Sequence, residues 1–200
     1  MALYHKWKVA FVQIPKNAST SIHNVLRNST DDSHDHELYI ELLINNDPEL
    51  VENYYSFAVV RNPYDRLVST FEYMRDPIHD YGITGTFEDF VNEFYRRGPY
   101  FYTTESIHLW PQARFVGVKD TVLIDDIIKY ENLDTEWPKV VEKIAAGLPE
   151  GHTIPSIILS DDNVSTLRIG RPWEYYYTDE LKEKVYNLYT RDFKLFGYEK

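Results

Sequence analysis

The feature that most constrains the fold of this chain is a segment near its start in which an apolar run stops at a short polar loop and apolar residues then resume. The run occupies residues 9–14 (VAFVQI), and the loop PKNASTS occupies residues 15–21. The run predicts a buried strand, and the spacing of the apolar residues after the loop predicts a helix. A turn of this kind directs backbone N–H groups and a helix N-terminus outward, and Lys16 adds a positive charge. The segment therefore predicts an anion-binding loop.

The composition of this loop limits the size of the anion. The general nucleotide-binding loop, GxxxxGK[ST], uses its glycines to wrap the backbone around a triphosphate. This chain has no such sequence, because its loop lacks glycine and places Lys16 ahead of the hydroxyls of Ser19, Thr20 and Ser21. That arrangement suits a smaller group, such as one phosphosulfate. The alternative that this segment leaves open is an ordinary helix with hydroxyls at its N-cap, beside a solvated lysine.

A second strand–turn–helix segment follows further along the chain. Residues 57–60 (FAVV) predict a short buried strand, and the sequence RNPYDRLVSTF that follows predicts a helix with Asn62 as its N-cap and Pro63 at its first position. Arg61 then lies where ligands collect in open α/β sheets, and Ser69 lies on the helix. An arginine fork and a hydroxyl form a bidentate phosphate site. Taken alone, Arg61 also suits a strand-end ion pair, and Ser69 a packing contact.

Together and in this order, the two segments resemble the sulfotransferases that use 3′-phosphoadenosine 5′-phosphosulfate (PAPS), in the family 2 branch that includes carbohydrate sulfotransferases. The family pattern is strand-PKxGxTS-helix for the 5′-phosphosulfate and strand-RNPxxRLVS-helix for the 3′-phosphate, and this chain has PKNASTS and RNPYDRLVS. WPQ at 110–112, YENL at 130–133 and DFKLFGY at 192–198 also resemble family members. The family's loop glycine is Ala18 here, and no donor is lost by that exchange.

The resemblance implies which residues bind the donor PAPS and its product, adenosine 3′,5′-bisphosphate. At the 5′ end the expected residues are Lys16, Asn17, Ala18, Ser19, Thr20 and Ser21. At the 3′-phosphate they are Arg61 and Ser69, and Arg168 or Arg171 could reach the same group. Arg66 is a further positive charge available to hold the donor. For Arg168 and Arg171 the alternative is a surface loop with exposed arginines.

A histidine is the expected catalytic base. The sequence HELYIELL at 36–43 resembles the family's H-x-x-x-x-E-[LI] segment, whose histidine is a candidate base for the acceptor hydroxyl. Histidine is the side chain whose unperturbed pKa, about 6.5, lies closest to neutral pH, which favours His36. His34 and Glu41 are alternatives. His23 lies inside the predicted first helix and is expected to be structural.

The expected reaction is an in-line transfer of a sulfuryl group from PAPS to an acceptor hydroxyl. Lys16 would stabilise the charge that develops on the bridging oxygen as the S–O bond breaks. No metal is expected, because the leaving group is a phosphate held by Lys16 and the loop amides. Family analogy alone favours a saccharide as the acceptor.

Composition limits the other function classes. The chain has 200 residues with 43% apolar content, which predicts one domain over residues 1–200 with a substantial core. Its net charge of −11 is spread over both halves, which argues against a nucleic-acid partner. The absence of cysteine excludes disulfides and thiolate chemistry. No run approaches the roughly 18 apolar residues of a membrane span, and no signal peptide opens the chain, so a soluble cytoplasmic enzyme is expected.

The pattern of elements predicts an α/β fold. Strands are predicted at Trp7–Ile14, Ser56–Val60, Arg114–Val118 and Val122–Tyr130. Helices are predicted at Ser19–Asn28, Leu38–Asn45, Pro63–Met74, Thr86–Tyr95, Asp134–Ala146 and Asp179–Tyr189. Strands that alternate with helices imply a mainly parallel central sheet flanked by helices, in a three-layer, P-loop-like arrangement.

Two functions from other classes stay open at this point. A P-loop nucleoside-phosphate kinase shares the architecture, although the glycine–lysine loop and a clear magnesium-binding aspartate at a strand end are both missing. The other is a catalytically silent module that keeps the nucleotide pocket.

Overall fold

The computed structural model describes residues 3–27, 36–79, 81–98, 104–148 and 170–200. Its strands are β1 (Leu3–Tyr4), β2 (Val9–Val12), β3 (Tyr55–Val60), β4 (Gly117–Val118), β5 (Thr121–Val122) and β6 (Asp126–Lys129). Its α-helices are α1 (Ser19–Leu26), α2 (Tyr39–Asn45), α3 (Pro48–Glu52), α4 (Pro63–Met74), α5 (Phe87–Arg97), α6 (Gln112–Val116), α7 (Leu133–Ala146) and α8 (Asp179–Phe196). Short 3₁₀ helices cover His5–Trp7, Thr104–Leu109, Tyr130–Asn132 and Trp173–Tyr176.

The chain divides into two compact units. The first, called the sheet unit here, comprises Met1–Val60 and Gln112–Asn163. The second, called the helical unit, comprises Arg61–Pro111 and Val164–Lys200. The single domain expected over residues 1–200 stays a prediction.

The sheet unit contains a four-stranded sheet in the order β1, β2, β3, β6. β1 pairs antiparallel with β2, whereas β2 with β3 and β3 with β6 pair in parallel. Apart from Ser56, the residues of β2 and β3 are aliphatic or aromatic, and almost all are buried, as is typical of parallel strands covered on both faces. Phe11 lies opposite Phe57 in this register, and their rings stack with centroids 4.7 Å apart. The prediction of an α/β fold with a mostly parallel central sheet is confirmed.

The core of the sheet unit forms where α1 and α7 pack against the strands. Trp137 of α7 packs against Phe57, and the Trp7 indole N–H donates to the Leu26 carbonyl oxygen at 2.8 Å, which fixes the end of α1. The buried members of this core are Tyr4, Trp7, Val9, Phe11, Ile22, Leu26, Phe57, Val59, Ile128, Leu133, Trp137, Val140 and Ile144.

The helical unit is built on α4, α5 and α8. Tyr64 at the start of α4 stacks on Trp173 with ring centroids 5.2 Å apart and also contacts Phe193 of α8. Phe71 contacts Phe87 and Phe90 of α5. Aromatic rings bury large apolar areas, so this cluster determines which face of α4 packs into the core of the helical unit.

Several predicted bounds agree with the structure and one element is wrong. The predicted helix Pro63–Met74 is observed with the same bounds, because Asn62 accepts a hydrogen bond from the Tyr64 amide at 2.9 Å as its N-cap. The strand predicted at Arg114–Val118 is instead the end of α6 followed by β4. Short apolar runs fit either a buried helix or a strand, and here helical packing prevails.

The remaining differences concern ends and short elements. The strand predicted at Val122–Tyr130 is divided into β5 and β6. The helix predicted to end at Tyr189 has a kink at that residue and then continues to Phe196. The first predicted strand is shorter, since β2 covers Val9–Val12 only and Trp7 lies in a 3₁₀ helix. The sequence analysis did not predict β1 or α3.

Candidate functional site

The predicted anion-binding loop joins the carboxyl end of β2 to α1. The Ile14 amide donates to the Val12 carbonyl oxygen at 3.1 Å, and the Ile22 amide donates to the Ala18 carbonyl oxygen at 3.1 Å, so Ala18 is the N-cap of α1. Alanine has no side-chain oxygen and makes no capping bond. The first N–H groups of α1 therefore have no partner from the N-cap side chain, and the positive end of the helix dipole suits an anion.

Two non-glycine residues of this loop have left-handed backbone conformations. Lys16 has φ of 69° and Ala18 has φ of 58°. The left-handed conformation is unfavourable for residues other than glycine, because Cβ comes too close to the backbone. Ala18 stands where the resembling family has glycine, and the loop takes the turn that glycine would make without strain.

Replacement of Ala18 by glycine is accordingly expected to stabilise the protein. The Ala18→Gly variant should raise the free energy of unfolding by about 0.5–1 kcal/mol, because the strain at positive φ is removed. Urea unfolding measures the change. Ala145→Gly, on an exposed position of α7, serves as the matched control and should lower the free energy of unfolding. A loss of stability in Ala18→Gly would contradict the left-handed assignment.

The Asn17 side chain turns into the protein, although the resemblance assigned this residue to donor binding. Asn17 is only 1% exposed, and its Nδ2 donates to the Val59 carbonyl oxygen at 2.8 Å and to Gln112 Oε1 at 2.7 Å. A contact of Asn17 with the donor is thus left to its backbone. Lys16, Ala18 and Thr20 are half-buried, while Ser19 and Ser21 are buried.

His36 lies at the same end of β2 as the loop. Its Nδ1 is 2.6 Å from the backbone carbonyl oxygen of Gln13, which follows β2 directly. A carbonyl oxygen only accepts, so Nδ1 carries the proton in this hydrogen bond. In the neutral imidazole the lone pair is then on Nε2, which is the form that a general base requires.

The alternative bases have other roles or lie outside the described residues. Glu41 is exposed, and its carboxylate accepts from the Leu38 amide at 2.9 Å at the start of α2. His23 is buried, and its Nδ1 lies 2.8 Å from the Tyr4 hydroxyl, which is a structural contact. His34 lies outside the described residues.

Arg61, which follows β3 directly in sequence, forms an ion pair in the helical unit. Its Nε donates to Asp65 Oδ2 at 2.7 Å, and the two side chains are 9% and 13% exposed. Ser69 is half-buried one helical turn after Asp65 and so lies on the same face of α4. The strand-end ion pair considered for Arg61 is therefore present, with Asp65 as its partner. An arginine fork has donors enough to bind a carboxylate and a phosphate together.

The other arginines considered for phosphate binding differ in environment. Arg66 is buried and donates to the carbonyl oxygens of Trp110 at 2.9 Å and His108 at 3.1 Å. Burial lowers the pKa of Arg66, although nearby Tyr189 and Asp192 act in the opposite direction. Arg66 thus stabilises the backbone at Trp110 and His108 and does not contribute to a surface site. Arg171 is exposed, with its guanidinium 5.1 Å from the Tyr175 ring centroid, and Arg168 lies outside the described residues.

Sequence reasoning missed two residues that shape the loop. Gln112 is fully buried at the first position of α6 and receives the Asn17 amide, and Gln13 supplies the carbonyl that holds His36. The WPQ sequence at 110–112 was the only signal for Gln112, and it gave a resemblance without a role. No local signal pointed to Gln13.

The structure thus combines an α/β fold, a loop that leads from a strand end into a helix N-terminus, and a histidine held at that same strand end. The chain belongs to the sulfotransferase family, since the family model described as "Sulfotransferase family" matches residues 3–199, essentially the whole chain. Comparison with curated proteins and with solved structures gave no match. The family resemblance drawn from the two motifs is confirmed, and membership supports sulfuryl transfer to a hydroxyl-bearing acceptor in general.

Two features are absent from the described part of the chain. Within it, no group of three or more histidine, aspartate or glutamate side chains is placed to hold a metal ion. Among the same residues, no helix combines the length and the apolar character that crossing a bilayer requires. The expected cytoplasmic location stays a prediction.

Proposed function

We propose that this protein transfers a sulfuryl group from PAPS to the hydroxyl of an acceptor, and that the acceptor is a saccharide. The observation that carries the proposal is the placement of Lys16 and His36 at the same end of β2, in a chain of the sulfotransferase family. One residue supplies fixed positive charge, and the other supplies a basic nitrogen.

The loop at residues 16–21 is the proposed site of the 5′-phosphosulfate. Backbone N–H groups at the start of α1, the helix dipole and the Lys16 ammonium all favour an anion there. The hydroxyls of Ser19, Thr20 and Ser21 add short-range donors. The family pattern assigns the 3′-phosphate of the same nucleotide to Arg61 and Ser69.

The proposed reaction is a single displacement at sulfur. His36 Nε2 takes the proton of the acceptor hydroxyl, and the acceptor oxygen forms the new S–O bond. The S–O bond to the 5′-phosphate breaks in line, and its electron pair stays on the phosphate oxygen of adenosine 3′,5′-bisphosphate. Lys16 stabilises that developing charge, and the proton on His36 passes to solvent.

A transfer assay tests this function most directly. PAPS labelled in its sulfuryl group is offered with a panel of hydroxyl compounds, in which saccharides are compared with phenols and simple alcohols. Transfer to a saccharide supports the proposal, transfer only to the others corrects the acceptor class, and no transfer with intact nucleotide binding indicates a silent module. Calorimetry that shows ATP bound more tightly than adenosine 3′,5′-bisphosphate would favour a kinase.

Arg61 is expected to decide the preference for a 3′-phosphate. The Arg61→Ala variant should bind adenosine 3′,5′-bisphosphate about 10- to 100-fold more weakly, because charge-assisted hydrogen bonds to the phosphate are lost. Adenosine 5′-phosphate, which lacks the 3′ group, should be affected much less. Titration calorimetry with both nucleotides measures the difference.

Arg96→Ala provides the control, since Arg96 is an exposed arginine of the same unit and pairs with Glu93 at 2.9 Å. Equal losses for both nucleotides in Arg61→Ala would remove Arg61 from the 3′-phosphate site. A selective loss in Arg171→Ala would instead give that role to Arg171.

A further inference from the structure

A pair of buried amides lies beneath the proposed phosphosulfate loop. Asn17 is 1% exposed and Gln112 is 0% exposed, and the Asn17 amide nitrogen donates to Gln112 Oε1 and to the Val59 carbonyl oxygen. These three groups are called the amide clamp here. They join the loop to β3 and to α6, which lie far from it in sequence.

We propose that the amide clamp is a positioning device for the donor: it holds the loop in the shape that receives the 5′-phosphosulfate, without its side chains touching the ligand. The inference rests on the proposed function, because it concerns the site of the 5′-phosphosulfate. It assigns Asn17 and Gln112 a role in donor affinity that is separate from the roles of Lys16 and the hydroxyls.

The chemistry of the clamp fixes its orientation. Val59 contributes a carbonyl oxygen and Gln112 its Oε1, and both groups only accept hydrogen bonds. The atom of Asn17 that faces them must therefore be the NH₂ group, whose two hydrogens serve the two acceptors. A side chain held in this way has one orientation, and the backbone on either side of Asn17 is fixed with it.

The backbone next to the clamp adopts unfavourable conformations that the clamp would stabilise. Lys16 and Ala18 flank Asn17, and both have positive φ without being glycine. Positive φ is energetically unfavourable for each of these residues, so an unrestrained loop would relax toward ordinary backbone angles. Buried hydrogen bonds resist that relaxation, because breaking them leaves polar groups without water.

The clamp cannot be explained as direct ligand recognition by the Asn17 side chain. The side chain is almost wholly buried, and the amide nitrogen already serves two protein acceptors. An effect of Asn17 on the donor must then pass through the backbone of the loop. Such an effect should be confined to the part of the nucleotide that the loop binds.

The test compares adenosine 3′,5′-bisphosphate with adenosine 3′-phosphate, which lacks the group that the loop receives. Two variants break the clamp from opposite sides: Asn17→Ala removes the donor, and Gln112→Met removes the acceptor with little change of shape. Each should reduce the preference for the bisphosphate about tenfold, and affinity for the 3′-phosphate should hold. The double variant should lose no more than Asn17→Ala alone, because Asn17→Ala already removes the hydrogen bond that Gln112→Met breaks.

Ser56→Ala is the matched control for a purely structural loss. Ser56 is buried near the amino end of β3, away from the loop end of that strand, and its hydroxyl donates to Asp125 Oδ2 at 2.7 Å. This variant should lose stability but keep the wild-type preference for the bisphosphate. Urea unfolding of every variant shows that the compared proteins are folded, and Gln112→Met decides the question where Asn17→Ala does not fold.

The outcomes separate this inference from the proposed function. Clamp variants that keep the wild-type preference, or that lose affinity for both nucleotides equally, overturn the clamp while the function stands. Additive losses in the double variant also overturn it. A wild-type protein with no preference for the bisphosphate overturns the loop as a phosphosulfate site, and the clamp with it.

Discussion

Replacement of His36 by alanine is expected to lower turnover by about 10² to 10⁴, the usual loss when a general base is removed. The structure gives a physical reason, because the Gln13 carbonyl oxygen holds Nδ1 at 2.6 Å and so places the lone pair of the neutral ring on Nε2. Binding of adenosine 3′,5′-bisphosphate should stay within a few-fold of wild type. Steady-state kinetics at saturating PAPS, with calorimetry for the nucleotide, measures the two quantities.

Two further variants separate the base from its alternatives. His34→Ala should keep near wild-type turnover, and Glu41→Gln should do the same because its oxygen can still accept from the Leu38 amide. A large loss in His34→Ala with an active His36→Ala would move the role to His34. Full activity in both histidine variants would leave a carboxylate as the base.

Local sequence signals predicted several of the helices, although not α3 or α6. The start of α4 was predictable because Asn62 and Pro63 are residues that a helix N-terminus selects, and capping acts within a few residues. The loop between β2 and α1 was predictable for the same reason, since the apolar run, the polar loop and the helix are consecutive in the chain. The end predicted for α8 at Tyr189 falls on a residue with non-helical backbone angles (φ −116°, ψ 22°), after which the helix resumes and ends at Phe196, before Gly197 in a left-handed conformation.

Contacts between residues far apart in sequence were not predictable in the same way. Asn17 was assigned to the ligand because of its place in the motif, yet its side chain bonds to Val59 and Gln112. Gln112 is separated from Asn17 by 95 positions, and no local pattern relates two residues at that distance.

Membership in a motif also does not show whether an arginine contacts a ligand or the protein backbone. Arg61 and Arg66 belong to the same RNPxxRLVS pattern, and both were considered for the phosphate. Arg66 is 2% exposed and donates to backbone carbonyls, whereas Arg61 is paired with Asp65 near the start of α4. Both side chains are buried, so the two arginines differ in their partners, and those partners depend on how the unit packs.

Lys16→Ala is expected to have the second large effect, a fall in turnover of about 10² to 10³. Lys16 is proposed to act on charge that appears only as the S–O bond breaks, so its loss should cost more in the transition state than in the bound product. Affinity for adenosine 3′,5′-bisphosphate should therefore fall by less than turnover does. The backbone contributes little to the comparison, because lysine and alanine pay a similar cost at the positive φ of this residue.

Two control variants make the result specific for charge at the loop. Lys139→Ala removes an exposed lysine of α7, which pairs with Glu136 at 3.3 Å, and should leave both turnover and nucleotide affinity unchanged. Lys16→Arg keeps the positive charge but spreads it over a larger group, so it should recover part of the lost turnover. Single-turnover rates at saturating PAPS isolate the chemical step from product release. If Lys16→Ala keeps wild-type single-turnover rates and loses only affinity, Lys16 binds the donor without assisting departure of the phosphate.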